Sequence, residues 1–536
     1  MKLSIENLKN YKEWEKADIK LPEYDVDQII ENTKENPKWI HFGIGNIFRI
    51  FLGGIADKLL TDGEISHGIT CVECFDYDLV DKIYEPYDNL GLSVIFHNDG
   101  TEEKRVLGSM SEVIKAIYTD EKQWSRLKEV FCSPGLQMVS FTITEKGYAL
   151  RNSEGKYFSF IEEDIENGPE KSKTAMAIVT AMLWERFKQN AAPVSLVSMD
   201  NCSKNGLLLR SSVVEMAEEW EKRNYVNKEF VEYVSNEEKV TYPWTMIDKI
   251  TPRPSIEMAE KLEAAGIEDM HPVITSKRTY IAPFINAEGP QYLVIEDNFK
   301  NGRPPLEKAG VYMTDRDTVN KSERMKVTVC LNPIHSALGT YGCVLGYTLF
   351  SDQMKDAASL KFGEEVGEEG MQVVPDPKIL SPKAFLDECL YVRFPNPYLG
   401  DTVQRLVTDI SQGVGVRFGE TVKAYVAKYG DAKALKAIPF AIAGWLRYLL
   451  AIDDEGNHFE LSPDPMNDEL QEQLKGITIG DPSSLGDKAR KILSNRNIFG
   501  VDLYEAGIGD KIEDFLKEEI AGYGAVRKTI EKYFGR

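Results

Sequence analysis

The chain predicts an α/β protein: an N-terminal Rossmann-like, doubly wound sheet domain over residues 1–285, then a mostly α-helical domain over residues 286–536. Two observations predict it. In the first part, short β-rich runs alternate with helix-like segments, the pattern of a largely parallel sheet covered by helices on both faces. After about residue 285 the β-rich runs give way to longer helical stretches.

Each element follows from its residues. The run WIHFGIG, the helix-like segment NIFRIFLGGIADKLL and the run GITCVEC make one βαβ unit. The alternation continues with LSVIFHN from Leu92, a helix over SEVIKAIYTDEKQWSRLKEVF, the run GLQMVSFTITEKGY, a helix around Lys173 to Asn190, and the strand PVSLVSMDN. Beyond the boundary, placed near Ala282 to Asn298, helices are predicted over Pro382–Tyr391, Tyr398–Asp409, Glu420–Lys428, Lys433–Ala451 and Ile512–Tyr533.

With 42% hydrophobic and 28% charged residues the composition is that of a folded globular protein with room to bury an active site. A net charge of -22 argues against a nucleic-acid partner, because phosphate binding needs clustered Lys and Arg. It does not exclude a small anion held by a local arginine cluster. The N-terminus has no apolar targeting run, and the most apolar later stretch, Ile438 to Ile452, is short and contains Arg447. A cytoplasmic protein without a membrane anchor is expected. Seven cysteines, an odd number, read as reduced thiols, and the lone CxxC of Cys71 and Cys74 reads as packing rather than as a metal site. The expected partner is a small molecule, and the oligomeric state is left open.

At the end of the first strand lies His41-Phe42-Gly43-Ile44-Gly45-Asn46-Ile47-Phe48-Arg49. Gly43 permits a tight turn, and Gly45 lets the backbone at the helix N-terminus, with Asn46, approach a pyrophosphate. Phe48 stands where the fingerprint has its third glycine. At the end of the second strand Glu73, or its rival Asp76, is placed to accept adenosine ribose hydroxyls and to repel a 2′-phosphate, so NAD is expected over NADP. Both acids also fit a solvated loop.

The segment ERMKVTVCLNPIHSALGTYGCVLGY, Glu323 to Tyr347, concentrates Lys326, Asn332 and His335 beside a Gly-rich apolar helix. Taken alone, Asn332 followed by Pro333 reads as an N-cap with proline at the first helical position. The segment resembles the active-site signature of the mannitol dehydrogenase family, which includes mannitol dehydrogenases and the fructuronate and tagaturonate reductases. Similar stretches follow the same order: Ser198-Met199-Asp200-Asn201 with Asn205-Gly206, TYPWTMIDKITP from Thr241, TITEKGY from Thr142, VIEDNFKNGR from Val294 and RFPNPYLGDTVQR from Arg393.

The resemblance implies metal-independent hydride transfer in which a lysine is general base, asparagines hold the substrate oxygen and a histidine orients it. Carried onto this chain, these are Lys326, Asn201, Asn332 and His335, with Asp248 behind His335 and with Thr144 and Glu145 on the cofactor side. The family pattern has its lysine five residues before the asparagine, whereas Lys326 precedes Asn332 by six. A π-bulge would absorb the extra residue. Where mannitol-type members carry a lysine, eight residues after Arg405, this chain has Gly413, with Arg417 as a replacement cation. Arg49, Arg393, Arg405 and Arg417 are the candidates for holding a substrate carboxylate. The C-terminal segments look more like the fructuronate reductases, which implies interconversion of D-mannonate and D-fructuronate with NAD. Tagaturonate reduction, mannitol 2-oxidation and, more distantly, a dinucleotide-binding scaffold without turnover are the alternatives.

Overall fold

The computed structural model describes residues 1–535. Two compact units divide the chain, the first Met1–Asn320 and the second from Lys321 onward.

In the first unit, six strands form the main sheet: β1 (Trp39–Phe42), β2 (Ile69–Glu73), β3 (Met110–Lys115), β4 (Met138–Phe141), β5 (Val194–Ser198) and β6 (Val240–Thr241). Their order is β3-β2-β1-β4-β5-β6 and every neighbouring pair is parallel. This is the doubly wound order, in which the chain reverses direction between β1 and β4. β1, β2 and β5 are buried throughout because helices cover both faces of the sheet. Alternate residues feed opposite cores: Ile40, Phe42 and Val72 pack on one side with Val139 and Leu196, while Trp39, Ile69 and Cys71 pack on the other with Met138 and Val197. Cys71 is fully buried and burial pushes both its thiol and that of Cys74 up, so the CxxC pair is unreactive packing.

Several sequence-derived elements land differently. LSVIFHN does form a strand, Gly91–Phe96, but it leaves the main sheet for a three-stranded one, between Glu102–Leu107 and Phe284–Glu288. SEVIK is the edge strand β3 rather than the start of a helix, and the helix begins at Glu121 after Asp120, whose carboxylate accepts the Gln123 N–H at 3.1 Å. Strands Phe284–Glu288, Tyr292–Glu296 and Tyr312–Thr314 all belong to the first unit, so the division falls at 320/321 and not at 285/286. Their partners, Gly91–Phe96 and Thr245–Asp248, are remote in sequence, and local periodicity carries no trace of such pairing.

The second unit is built around the helix Asn332–Val344, packed against Ala357–Met371 and Ala437–Tyr448. Of its residues only Asn332 and His335 are not fully buried. The helix predicted over Ile512–Tyr533 is two helices, Gly509–Glu519 and Ala525–Phe534, broken around Gly522 and Gly524. Tyr398–Asp409 holds only short helical turns, at Pro397–Leu399 and Val403–Leu406.

The centre of this unit holds a polar group. Tyr341 Oη lies 2.9 Å from the carbonyl of Phe440 and also bonds Glu519 Oε1, with Glu519 wholly buried. One phenol proton cannot serve two acceptors, so a protonated Glu519 supplies the second. Burial pushes the Glu519 carboxyl up to about 8, in agreement. The unfolded chain, with a carboxyl near 4.5, releases this proton first, so stability falls as pH rises from about 4.5 to about 8. The loss is at most about 1.4 kcal/mol per pH unit. Glu519→Gln cannot ionise, and its melting temperature relative to the unmodified protein is expected to climb between pH 5 and pH 8. A difference constant across that window would show that Glu519 is ionised in the folded state.

Candidate functional site

In the first unit the candidate residues gather where β1, β4 and β5 end, outside the carboxyl edge at the switch point. Ligands of open parallel sheets bind in this crevice. Gly43 has φ +88°, and a Cβ there would stand 2.1 Å from the carbonyl oxygen of Thr142, so only glycine fits. A Cβ on Gly45 would meet nothing within 4 Å, which leaves open space over the backbone at the start of the helix. The missing third glycine has a physical replacement. Phe48 opens a π-turn, Phe48–Leu52, and its ring stacks on His41 at 4.0 Å. His41 is bound to Ser140 Oγ (2.7 Å) and Thr142 Oγ1 (2.9 Å), and burial lowers its pKa to about 3, so it is neutral.

The two acids after β2 are both tied into the loop. Glu73 Oε1 accepts the N–H groups of Cys74, Phe75 and Asp76 at 2.8–3.0 Å, and burial raises its carboxyl. Asp76 Oδ2 accepts from Thr275 Oγ1 (2.7 Å) and Thr279 Oγ1 (2.5 Å), while its Oδ1 is buried without a hydrogen-bond partner among the described residues. Arg49 is 1% exposed and gives its N–H groups to the carbonyls of Ala282 (2.8 Å) and Pro283 (2.7 Å). It braces the backbone and has no open face for a substrate carboxylate, which corrects its candidacy.

Asp200, which sequence reasoning passed over although it sits beside Asn201, organises the other side of the crevice. Its Oδ2 accepts the Ile143 N–H (2.9 Å) and Tyr148 O–H (2.6 Å), and its Oδ1 accepts the Thr144 N–H (3.0 Å). Thr144 has φ +64°, a left-handed conformation costing a β-branched residue about 1–3 kcal/mol. Two hydrogen bonds to a carboxylate, each worth about 1.5–3 kcal/mol, outweigh it. Glu145 and Asn201 are exposed, and Asp248 is buried at the end of strand Thr245–Asp248.

In the second unit Lys326, 1% exposed, opens the π-turn Lys326–Cys330, closed by the Leu331 N–H on the Lys326 carbonyl at 3.0 Å. The extra residue between Lys326 and Asn332 is thus taken up by a wide turn. The helix begins at Asn332 itself, Leu331 holds the cap position without a side-chain cap bond, and Asn332 Oδ1 is buried with no hydrogen-bond partner among the described residues. Asn332 is therefore not an N-cap. One turn on, the His335 ring packs on Phe394 (4.5 Å) and Phe350 (5.4 Å).

The three remaining arginines differ. Arg405 is exposed and paired with Asp401 one turn earlier. Arg393, 1% exposed, ends the π-turn Cys389–Arg393 near the Phe385 ring. Arg417 lies in the π-turn Gly415–Gly419, which packs on the turn carrying Lys326. Its Nη1 donates to Ser336 Oγ at 2.6 Å, beside His335, and its guanidinium covers Gly413, where an added Cβ would lie 2.7 Å from Nε. No acid pairs with it among the described residues, and burial pushes its guanidinium below the usual arginine value.

The strand order, glycine turn and crevice define a dinucleotide-binding dehydrogenase domain, joined to a helical unit bearing a lysine, an asparagine and a histidine. The family model described as the mannitol dehydrogenase Rossmann domain matches residues 37–308, and the mannitol dehydrogenase C-terminal domain matches residues 318–518. The chain is 50% identical to the D-mannonate oxidoreductase of Thermotoga maritima, an alignment covering 100% of this chain and 99% of the relative. It is 29% identical to the mannitol 2-dehydrogenase of Emericella nidulans, with 99% of each covered. Among solved structures it is similar to D-sorbitol dehydrogenase in substrate-free form, with 25% identity, a TM-score of 0.78, and 96% of this chain and 98% of the other covered. In fold it is also similar to Pseudomonas fluorescens mannitol 2-dehydrogenase in ternary complex with NAD and D-mannitol, with 24% identity, a TM-score of 0.71 and 99% of each covered. The chain belongs to the mannitol dehydrogenase family and is an oxidoreductase, as the motifs implied.

The glycine turn yields a test of its own. Gly43→Ala is expected to lower the unfolding free energy by about 2 kcal/mol or more, and Gly45→Ala by less than about 1 kcal/mol, in urea titrations. Equal losses would contradict the close approach of Gly43 to Thr142.

Proposed function

We propose that the chain is an NAD-dependent, metal-independent oxidoreductase interconverting D-mannonate and D-fructuronate. The observation that carries the catalytic assignment is Asn332, on a helix otherwise buried but for His335, whose Oδ1 is buried without a hydrogen-bond partner. Because Asn332 does not cap its helix and its Oδ1 accepts from no described residue, that oxygen is available to a donor such as a substrate hydroxyl, and its Nδ2 can donate to the same substrate. The relative at 50% identity is itself named a D-mannonate oxidoreductase, which supports the choice of substrate.

In this reading Lys326 Nζ takes the proton of the carbinol hydroxyl during oxidation and returns it during reduction. The side-chain amide of Asn332 donates to the oxygen as negative charge develops on it, and His335 orients that oxygen. Arg417 is the cation for the carboxylate, since a desolvated guanidinium without an acidic partner is costly until an anion arrives. Gly43, Gly45 and Asn46 would hold the pyrophosphate of NAD, Glu73 or Asp76 the adenosine ribose, and Thr144 with Glu145 would line the same crevice; the open space over Gly45 and the orphan Asp76 oxygen fit such a group. NAD, when bound, supplies the hydride acceptor.

Purified protein is expected to oxidise NADH with D-fructuronate faster than with D-tagaturonate or fructose, to prefer NADH to NADPH, and to keep its activity in EDTA. Tight NADH binding with no turnover on any of these would return the scaffold reading. Lys326→Ala is expected to lower kcat by about 10²-fold or more while NADH still binds, and near-normal kcat would remove Lys326 from the base role. Arg417→Ala should lower kcat/KM for D-fructuronate by about 10–100-fold and leave fructose turnover little changed. Equal losses on both substrates would take the carboxylate away from Arg417.

A further inference from the structure

We infer that Asp200 is a positioning residue: its carboxylate holds the Ile143–Thr144 turn in its left-handed form on the crevice floor and, through its own backbone, fixes the adjoining Asn201. This rests on the proposed reading of the crevice as the nucleotide site.

The geometry admits no other protonation pattern. The N–H groups of Ile143 and Thr144 can only donate, and Tyr148 Oη accepts from Ser198 Oγ–H at 2.8 Å, so its own proton goes to Asp200. Three donors converge on two oxygens, which only the ionised carboxylate satisfies, although burial by itself raises this carboxyl. The Asp200 main chain is pinned as well, its carbonyl accepting from Asn205 Nδ2 at 3.1 Å, and Asn205 is locked in turn to the Thr245 hydroxyl at 2.8 Å. On the far side Thr142 Oγ1 donates to the Gly43 carbonyl at 2.7 Å. Asp200 therefore closes a continuous chain from the glycine turn after β1, through the turn after β4, to Asn201 after β5. The Asp200 hydrogen bonds account for a threonine with φ +64° at the switch point. A misplacement on the ångström scale at such a point costs about 10²-fold in rate.

The test uses the full chain. Asp200→Asn keeps the shape but turns an amide donor toward N–H and O–H donors, freeing the turn. It is expected to weaken NADH binding about 10-fold by fluorescence titration and to lower kcat about 10²-fold. The primary isotope effect from 4-deuterated NADH should rise as hydride transfer becomes limiting. Adding Thr144→Gly should recover at least about 10-fold in NADH affinity and kcat, because glycine takes the left-handed conformation unaided. A purely structural role predicts a lower melting temperature with unchanged kcat per NADH-binding site, and that result, or a double variant no better than Asp200→Asn, overturns the inference. Should Asp200→Asn fail to fold, Tyr148→Phe removes one donor and leaves both backbone bonds; it is expected to raise the isotope effect and lower kcat several-fold, and no change in either overturns the inference. The NADH titration needs no sugar substrate, so a protein that fails to turn over D-fructuronate defeats the functional proposal and leaves this test standing.

Discussion

The close approach of Gly43 to the carbonyl of Thr142 is the constraint on which the first unit depends. It lets β1 and β4 run side by side to their ends while their continuations part in opposite directions. That parting creates the crevice. The neutral His41, the Thr142 hydroxyl and the Asp200 carboxylate are then bonded to one another's neighbours. A side chain at position 43 would disturb all of them at once.

A second device recurs in both units. Five π-turns occur among the described residues, at Phe48–Leu52, Val80–Tyr84, Lys326–Cys330, Cys389–Arg393 and Gly415–Gly419. Four of them carry basic residues that the sequence marks as candidates: Arg49, Lys326, Arg393 and Arg417. A π-turn adds one residue to the helical turn, and such turns are frequent at functional sites. The same device serves opposite ends here. It inserts Arg49 into the backbone as a brace, and it brings Arg417 to Ser336 beside His335.

Much of this was legible in the residues. Short, mostly apolar β-rich runs announced β1, β2, β4 and β5, because strands covered on both faces carry few polar side chains. The motif set identified the family and led to Lys326, Asn332 and His335. Less legible was SEVIK, whose alternation is too short to separate from a helix start. The arginines were the hardest, since their identity says nothing about whether carbonyls, an acid or nothing meets the guanidinium. Asp200 escaped notice because its partners come from a turn more than fifty residues away.

By itself, then, the sequence determined the class of fold, the glycine that its first turn requires and the candidate residues for proton and hydride chemistry, all of which are local properties of the chain. Only the tertiary structure decided where the first unit ends, that Asn332 begins a helix without capping it, that a wide turn absorbs the extra residue after Lys326, and that Arg417 has no acidic partner among the described residues. Those outcomes depend on pairing and burial between segments far apart in the chain, and such energies are not written in any single stretch of it.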